Sequence, residues 1–230
     1  MWNDRTKLLI GKDGAKKLEN SHVVVVGVGG VGGYAANLLV RAGVGKLTIV
    51  DFDKVDETNI NRQIIANTKT IGRPKVDVAR EMLLDINPRC NINTLSLKAN
   101  QETFDQIFAE KPDYVIDAID IVSDKIDLIC YCKENDIKIV SAMGAGNRIS
   151  IPNFAIIDIF KTSNDGLAKI VRKKLRERKI ESLDVVTSLD KTLPVTQEVD
   201  SKKRIVGSIS YYPAMCGCVL SAFVIENLLK

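Results

Sequence analysis

Short runs of consecutive apolar residues alternate along the chain with longer segments in which apolar residues recur every three or four positions. The short runs predict strands and the recurring patterns predict helices, because a strand covered on both faces is apolar throughout, whereas a helix buries one stripe. Strands are predicted at residues 23–26, 46–50, 91–95, 114–116 and 138–141, and helices at 31–42, 75–86, 103–109 and 125–135. This alternation predicts an α/β fold with a Rossmann-like, doubly wound and mostly parallel sheet.

The pattern changes beyond residue 150. A strand is predicted at 154–159, a basic helix at 166–179, a polar and weakly patterned stretch at 188–206, and an apolar helix at 213–229. We therefore predict one domain over residues 1–230, with a core at 1–150 and a C-terminal extension at 151–230. The extension would contain the basic helix, would end with the closing apolar helix, and would contact the substrate or a second subunit.

A glycine-rich loop, GVGGVG, follows the first predicted strand and opens the first predicted helix. Gly27, Gly29 and Gly32 take the GxGxxG positions, and Gly30 lies between them. Without side chains the backbone can approach a phosphate, toward which the helix N-terminus points its N–H groups. Asp51 ends the next predicted strand, where a carboxylate can bond ribose hydroxyls. The core is therefore predicted to bind a nucleotide; a tight turn in an ordinary α/β domain is the alternative.

Two cations, Arg62 and Lys75, follow Asp51 and the strand end at which such sheets bind ligands. A nicotinamide dehydrogenase has little use for them, because the pyrophosphate of its cofactor is not broken. Cleavage of ATP between its α- and β-phosphates builds charge on the departing pyrophosphate, which pre-placed cations stabilise. Asp120 could hold the accompanying Mg²⁺. Exposed Arg and Lys are common, and Asp117 could cap a helix, but together the spacings favour ATP chemistry.

Five motifs, GVGGVG, IVDFD, NINRQ, GRPK and DAID, together resemble the ubiquitin-activating-enzyme-like superfamily, whose members adenylate carboxylates with MgATP. The resemblance implies that ATP is bound by the glycine loop, by two acids and by polar residues of the following segment. These residues are Gly27, Gly29, Gly30, Gly32, Asp51, Asp53, Asn59, Arg62, Gln63 and Lys75. It also implies that Asp120 binds magnesium and that Arg62, Lys75 and Asp120 act in catalysis.

The N-terminal segment RTKLLIG carries a further implication of the resemblance. In several members of the superfamily an N-terminal arginine crosses from the second subunit of a homodimer onto the γ-phosphate. Arg5 matches that position. The resemblance therefore implies a homodimer in which Arg5 is catalytic in trans.

The chain has five cysteines, and their odd number, with no secretory segment ahead of them, predicts a reducing cytoplasm. Their spacing and positions also argue against two features found in this superfamily, a bound zinc and a thioester nucleophile. Members that hold zinc use two CxxC pairs, whereas this chain has CYC and CGC, so no zinc is expected. A thioester nucleophile is absent between residues 133 and 215, and Cys216 and Cys218 lie in an apolar helical setting typical of small buried hydrophobic residues.

The C-terminal segments LAKIVRKKLRERKIESLDVVTS and GSISYYPAMCGCVLSAFVIENLL are similar to the tRNA threonylcarbamoyladenosine dehydratases. This similarity implies an ATP-dependent enzyme that adenylates the threonyl carboxylate of N6-threonylcarbamoyladenosine in tRNA and lets it cyclise with release of AMP. An adenylyltransferase for a sulfur-carrier or ubiquitin-like protein is the main alternative, and a non-catalytic scaffold is another. Some relatives work with a sulfur-transfer protein, so such a protein is a candidate partner here.

Residues 169–179 hold seven cations and a single acid, and the chain has a net charge of +4. A solvated helix face is the simple interpretation. The functional interpretation is contact with tRNA phosphates by Lys169, Arg172, Lys173 and Arg176. No apolar run reaches the length expected of a membrane span, so no membrane partner is expected. His22, the one histidine, is expected at a strand end or on the surface, which disfavours a hydrolytic triad.

Overall fold

Seven strands form one sheet in the computed structural model, which describes residues 2–194 and 206–230. The strands are β1 (His22–Val26), β2 (Lys46–Val50), β3 (Asn91–Leu95), β4 (Tyr114–Asp117), β5 (Ile139–Ala142), β6 (Phe154–Asp158) and β7 (Asp184–Ser188). Their order across the sheet is β3-β2-β1-β4-β5-β7-β6. All neighbouring strands are parallel except β6 and β7, which confirms the predicted doubly wound, mostly parallel sheet.

Helices cover both faces of the sheet. They are α1 (Asp4–Asn20), α2 (Gly32–Ala42), α3 (Lys75–Ile86), α4 (Phe104–Ile107), α5 (Val122–Glu134), α6 (Gly166–Glu177) and α7 (Tyr211–Leu229), with short 3₁₀ turns at Glu57–Asn59 and Ile159–Lys161. The position of β1 accounts for its apolar sequence, because the strand lies between β2 and β4 and all of its residues are buried. Val23 and Val25 join the cluster under α2 and α7, and Val24 and Val26 join the cluster under α5 and α6.

The closing helix α7 is long and apolar enough, by length and composition, to cross a membrane, with a mean hydropathy of 1.5 over its span. The expectation that no apolar run approaches this length is therefore wrong for the helix. Its packing accounts for the composition: Cys216, Leu220 and Val224 are completely buried in the cluster shared with α2 and the sheet. Helix α7 is a core helix of this fold.

Two elements were not predicted. Helix α1 is polar and buries Leu18, and Gly11, with φ of +74°, marks a kink within it. Strand β7 lies between β5 and β6 and turns the edge of the sheet antiparallel. The predicted helix at 103–109 is reduced to the single turn of α4. Most of the polar stretch predicted at 188–206 lies outside the described residues.

Candidate nucleotide and substrate site

The glycine loop joins β1 to α2 at the carboxyl edge of the sheet. Gly27 has a φ of +86°, and a Cβ there would lie 2.7 Å from the Ala118 carbonyl oxygen. A Cβ on Gly32 would lie 1.8 Å from the Gly27 carbonyl oxygen, so a side chain at this position would force the loop apart. The two glycines thus allow the loop to fold back on the first turn of α2, which leaves the N-terminus of that helix open to a phosphate.

Asp51 follows β2 and is 8% exposed. Its Oδ2 accepts a hydrogen bond of 2.8 Å from the Val28 N–H, and its Oδ1 accepts one of 2.9 Å from the Asp53 N–H. Burial raises the pKa of this carboxyl, while Lys75 and the two backbone donors oppose that rise. Asp51 therefore ties the glycine loop to the end of β2, a role that was not predicted. Its contact with a ribose stays a prediction.

Lys75 begins α3 and is buried, yet its amine reaches the site. Its Nζ lies 2.8 Å from Oδ2 of Asp53, a carboxylate that is half-exposed. A buried lysine head of this kind needs a partner, and Asp53 supplies it. The two predicted nucleotide ligands are thus brought together as an ion pair.

A cleft of about 510 Å³, which we call the nucleotide cavity, is lined by Gly27, Asp51, Asp53, Lys75 and Asp120 among others. Apolar side chains on the same walls, from Phe52, Leu97, Ile119 and Ile121, complete it. This mixture of apolar walls with a few polar groups is typical of small-molecule sites. The nucleotide cavity thus brings together four of the residues predicted to bind ATP, Gly27, Asp51, Asp53 and Lys75.

A second cleft, the middle cavity, has a volume of about 1110 Å³ and shares the wall of residues 118–120 with the nucleotide cavity. Gly30, Arg62, Gln63 and Gly144 also line it. The shared wall makes the two cavities neighbours, and Asp120, which is exposed, faces both. A group bound in the middle cavity would therefore lie beside the phosphates of a nucleotide in the first.

The NINRQ segment forms the outer side of the middle cavity. Asn59 is buried and its side-chain oxygen accepts the N–H of Asp56, so it closes the 3₁₀ turn. Arg62 uses Nη1 to donate to the Thr58 carbonyl and the Asn61 side chain, both at 2.9 Å. Gln63 is 7% exposed, and its Oε1 has no hydrogen-bond partner among the described residues.

Gln63 also meets the glycine loop. Its Nε2 lies 3.6 Å from the position that a Cβ on Gly29 would take. A buried amide oxygen without a donor is costly unless a ligand or water supplies one. The Gln63 side chain therefore lies beside the glycine loop with its Nε2 toward Gly29, and its contact with ATP stays a prediction.

The described residues contain no group of three or more His, Cys, Asp or Glu placed to hold a metal ion. Asp120 is therefore not part of such a group, although Asp51, Asp53 and Asp124 line the same cavity. Mg²⁺ is often bound through one or two carboxylates together with substrate phosphates, so Asp120 fits a metal that arrives with ATP.

A buried ion pair lies beneath the shared wall. Lys125 and Asp117 are both 0% exposed, with 2.7 Å between Nζ and Oδ2. Nζ also donates to Ser141 Oγ and to the Ala142 carbonyl, both at 3.1 Å, and Asp117 Oδ1 accepts the Ile119 N–H. Asp117 is therefore not a helix cap. The pair joins β4, α5 and β5 directly under Asp120.

The sequence contains a signal for this pair. Lys125 lies three, four and seven residues before Leu128, Ile129 and Cys132, all of them buried, and so occupies the apolar stripe of its helix. A charged residue in an apolar stripe predicts a buried partner.

The cysteines are free thiols. Cys216 is completely buried, and burial raises its pKa to about 12, while the half-buried Cys218 also has a raised pKa. A thiol of high pKa is a poor nucleophile at neutral pH. The prediction of a buried hydrophobic role is confirmed for Cys216, and neither thiol is suited to thioester formation.

The basic helix α6 is attached to the middle cavity at its first turn. Asp165 caps it by accepting the Ala168 N–H at 2.9 Å through Oδ1, and its Oδ2 accepts the Gly144 N–H, also at 2.9 Å. Gly144 lines the middle cavity, so one carboxylate holds both the helix and the cavity wall. This bridging role of Asp165 was not predicted.

The four predicted RNA ligands on α6 have different surroundings. Lys169 and Lys173 are exposed. Arg176 is exposed with its guanidinium carbon 5.4 Å from the centre of the Phe160 ring. Arg172 is half-buried and donates to the Thr162 carbonyl at 2.8 Å, which ties the helix to the preceding loop. Contact of all four with tRNA stays a prediction.

Arg5 is exposed on α1 and lines neither the nucleotide cavity nor the middle cavity. Within one subunit it is therefore not part of the site. This placement is compatible with the implied contact in trans.

The parallel sheet, the glycine loop at its carboxyl edge and the acid after β2 define a Rossmann-like nucleotide-binding protein. Comparison with known proteins is more specific: the sequence pattern of the ThiF family matches residues 4–229, so the chain belongs to that family. A tRNA threonylcarbamoyladenosine dehydratase from Bacillus subtilis (strain 168) is 40% identical over 98% of this chain and 94% of the relative. The resemblance to the dehydratase branch is thereby confirmed.

Two further relatives extend the comparison. The tRNA threonylcarbamoyladenosine dehydratase 2 of Saccharomyces cerevisiae is 31% identical over 95% of this chain, which spans about half (54%) of that longer relative. Among solved structures, the Escherichia coli tRNA N6-threonylcarbamoyladenosine dehydratase TcdA in complex with ATP superposes with a TM-score of 0.91 at 31% identity. The superposition covers 98% of this chain and 93% of TcdA.

Proposed function

We propose that the protein is an ATP-dependent dehydratase that adenylates the threonyl carboxylate of N6-threonylcarbamoyladenosine in tRNA and releases AMP when that group cyclises. The observation that carries the proposal is the continuity of the two cavities at Asp120, with the basic helix tied to the second cavity through Asp165. The identity of 40% with the Bacillus subtilis dehydratase over almost the whole chain supports the same substrate.

ATP would lie in the nucleotide cavity with its ribose at Asp51 and Asp53 and its phosphates at the glycine loop. Lys75 and Arg62 would stabilise the charge on pyrophosphate, and Gln63 Nε2, which lies beside Gly29, would donate to a phosphate oxygen at the glycine loop. Arg62 donates through Nη1 to its own loop, and its Nη2 and Nε would donate to phosphate oxygens. Magnesium at Asp120 would neutralise part of the phosphate charge.

In the first step a carboxylate oxygen of the substrate attacks the α-phosphorus of ATP, the bond to the bridging oxygen breaks, and pyrophosphate leaves. In the second, a nitrogen or oxygen of the same threonylcarbamoyl group attacks the acyl carbon, loses a proton and expels AMP. The carboxylate oxygen departs in AMP, so the substrate loses the elements of one water. A tethered nucleophile can reach effective concentrations on the order of 10⁵ M or more, so no protein thiol is required.

The sulfur-carrier alternative differs at this second step. An adenylyltransferase would pass its acyl-adenylate to an external thiol, and a thioester-forming enzyme would use a cysteine of its own. The burial and raised pKa of Cys216 disfavour the latter. Stimulation of ATP–pyrophosphate exchange by a protein tail, in place of tRNA, would support the adenylyltransferase.

The test is mass spectrometry of nucleosides from modified tRNA incubated with the protein and MgATP. We expect the modified adenosine to lose the mass of one water, with one AMP formed for each nucleoside converted. Arg62→Ala and Asp120→Ala should each lower AMP production by about 10²–10³, which is typical for loss of one charge-stabilising group. Arg80→Ala removes an exposed arginine from α3 and serves as the control, with unchanged turnover. Equal turnover by all four proteins would contradict the proposal.

We also infer a homodimer. Leu8 and Leu9 on α1 are 87% and 86% exposed, and Met215 on α7 is 42% exposed, so both helices present large apolar side chains that a second subunit would cover. Arg5 would then reach the nucleotide of the second subunit. Light scattering should give a dimer mass, and Leu8→Glu with Leu9→Glu should give a monomer of reduced activity. A wild-type monomer with full activity would refute both the dimer and the role of Arg5.

A sulfur-transfer protein partner and a cytoplasmic location remain predictions from the sequence. Conversion of modified tRNA by the purified protein, measured with and without such a partner, would test the first. Full conversion by the purified protein alone would show that no partner is needed.

A further inference from the structure

A third cleft, the outer cavity, opens beyond the middle cavity and has a volume of about 1310 Å³. The two share Gly144, Gly146, Leu167 and Val206, so they are continuous. The nucleotide, middle and outer cavities are thus connected in series, with Asp120 between the first two and Gly144 between the last two. The proposed chemistry at Asp120 does not use the outer cavity.

The outer cavity has apolar side chains on several sides. Ile170 on α6 is 50% exposed, Leu193 is 45% exposed and Val206 is 59% exposed, and Leu167 lies nearby on the first turn of α6. Apolar side chains grouped at a cavity and left open to solvent are typical of a ligand site. Apolar side chains of this kind can pack against an aromatic ring system.

Arg148 is one of four polar or charged residues that line this cavity, with Asn147, Asp165 and Thr192. It is 3% exposed, and it donates through Nη1 to the carbonyls of Gly144 (2.9 Å) and Gly146 (3.1 Å) and through Nε to the carbonyl of Asp190 (3.1 Å). Its Nη2 has no hydrogen-bond partner among the described residues. A buried guanidinium N–H without an acceptor is costly, and an oxygen atom of a bound ligand would remove that cost.

We propose that the outer cavity is the binding site for the modified nucleoside itself, with Arg148 as its polar anchor. This inference rests on the proposed function and locates the substrate of that reaction. The purine packs against Leu167 and Ile170, and Arg148 Nη2 donates to an oxygen of the threonylcarbamoyl arm. The arm then passes Gly144, so that its carboxylate enters the middle cavity and meets ATP at Asp120.

The basic helix supports this direction of entry. The start of α6 lines the outer cavity at Gly166, Leu167 and Ile170. The exposed Lys169 lies within this segment, and the exposed Lys173 lies one turn further along the helix. An RNA whose phosphates contact those lysines would have one flipped-out base within reach of the cavity. Extrusion of a target base into a pocket is the usual solution for enzymes that modify nucleosides.

The experiment measures binding of the free nucleoside N6-threonylcarbamoyladenosine by calorimetry, with α,β-methylene-ATP present to prevent turnover. Unmodified adenosine should bind at least about tenfold more weakly, because it lacks the oxygen that Arg148 binds. Arg148→Lys should raise the Kd of the modified nucleoside about tenfold, since lysine cannot keep all the donors of the fork. Ile170→Ser should raise it about fivefold through lost apolar contact.

Ile71→Ser is the matched control, since Ile71 is 45% exposed and lines none of the three cavities. The Kd of α,β-methylene-ATP, measured separately, should be the same in all four proteins. Because Arg148 also holds three carbonyls, its variant is paired with a thermal unfolding curve. If Arg148→Lys lowers Tm or weakens nucleotide binding, Ile170→Ser alone decides.

An unchanged Kd of the modified nucleoside in Ile170→Ser, with wild-type turnover intact, would overturn this inference and leave the proposed function standing. Equal weakening by Ile71→Ser would do the same, because the effect would then not be specific to the cavity. A wild-type protein that leaves modified tRNA unconverted would refute the proposed function, and this inference with it.

Discussion

Lys125→Met would remove one half of the ion pair beneath the shared wall of the nucleotide and middle cavities. The methionine keeps most of the length and apolar volume of the lysine stem but carries no charge. Asp117 would remain completely buried and would lose its 2.7 Å partner, and the Ala142 carbonyl would lose the donor that lies at 3.1 Å. The Ser141 hydroxyl would still donate to Asp117.

Removing one partner of a buried ion pair typically costs about 3–5 kcal/mol, because the other charge is left uncompensated in the interior. Domain stabilities are about 5–15 kcal/mol, so this one substitution would remove a large share of the total. Adding Asp117→Asn removes the stranded charge, and the double variant should therefore be more stable than Lys125→Met alone. The sign of this recovery separates a charge effect from a simple packing defect.

The assay is urea unfolding followed by circular dichroism, with Lys133→Met on the same helix as the control. That side chain is only half-buried, so its loss should change the unfolding free energy by no more than about 0.5 kcal/mol. A loss below about 1 kcal/mol in Lys125→Met, or no recovery in the double variant, would refute the reasoning.

Three further predictions concern other parts of the molecule. Burial lowers the pKa of His22, so the unfolded chain binds a proton at this residue more readily than the folded protein does. The unfolding free energy, measured with urea at several pH values, should therefore be highest above about pH 6.5 and fall on acidification. The fall should be smaller in His22→Gln. Gly32→Ala should weaken ATP binding at least about tenfold in equilibrium dialysis, because the new Cβ would collide with the Gly27 carbonyl oxygen. Gly166→Ala is the control and should bind ATP normally, because a Cβ at Gly166 would have no atom within 4 Å. Lys169→Glu with Lys173→Glu should weaken tRNA binding, and the difference from wild type should shrink at high salt; equal affinities at low salt would contradict this.

Much of the nucleotide-binding half was predictable from local sequence. Three features of this half are determined by residues that are neighbours in the chain: the run HVVVV, the glycines after it, and Asp51 at the end of the next strand. A strand buried on both faces must be apolar, and a loop that folds back on a helix must lack side chains at its closest approach. His22 illustrates the limit of such reasoning: its place at a strand end was predicted correctly, but it is buried and its Nε2 lies 2.9 Å from the Thr48 hydroxyl of the neighbouring strand.

Strand β7 shows why the rest was not predictable. Its sequence, DVVTS, is short and follows a basic helix, and nothing local distinguishes a strand inserted between β5 and β6 from a loop. Its partner residues all lie 26 to 44 positions earlier in the chain. Val140 of β5 pairs with Asp184, and Asp158 of β6 pairs with the same residue from the other side. Only the completed sheet provides the space that the strand fills.

The amino-acid sequence by itself determined the layered α/β architecture, the phosphate loop and the set of cations and acids available for ATP chemistry. The tertiary structure alone decided which of them meet: Lys75 with Asp53, Lys125 with Asp117 and Ser141, and Arg148 with three backbone carbonyls. The physical reason is that burial and charge pairing depend on groups from different strands and helices, whose distances are set by packing of the whole chain.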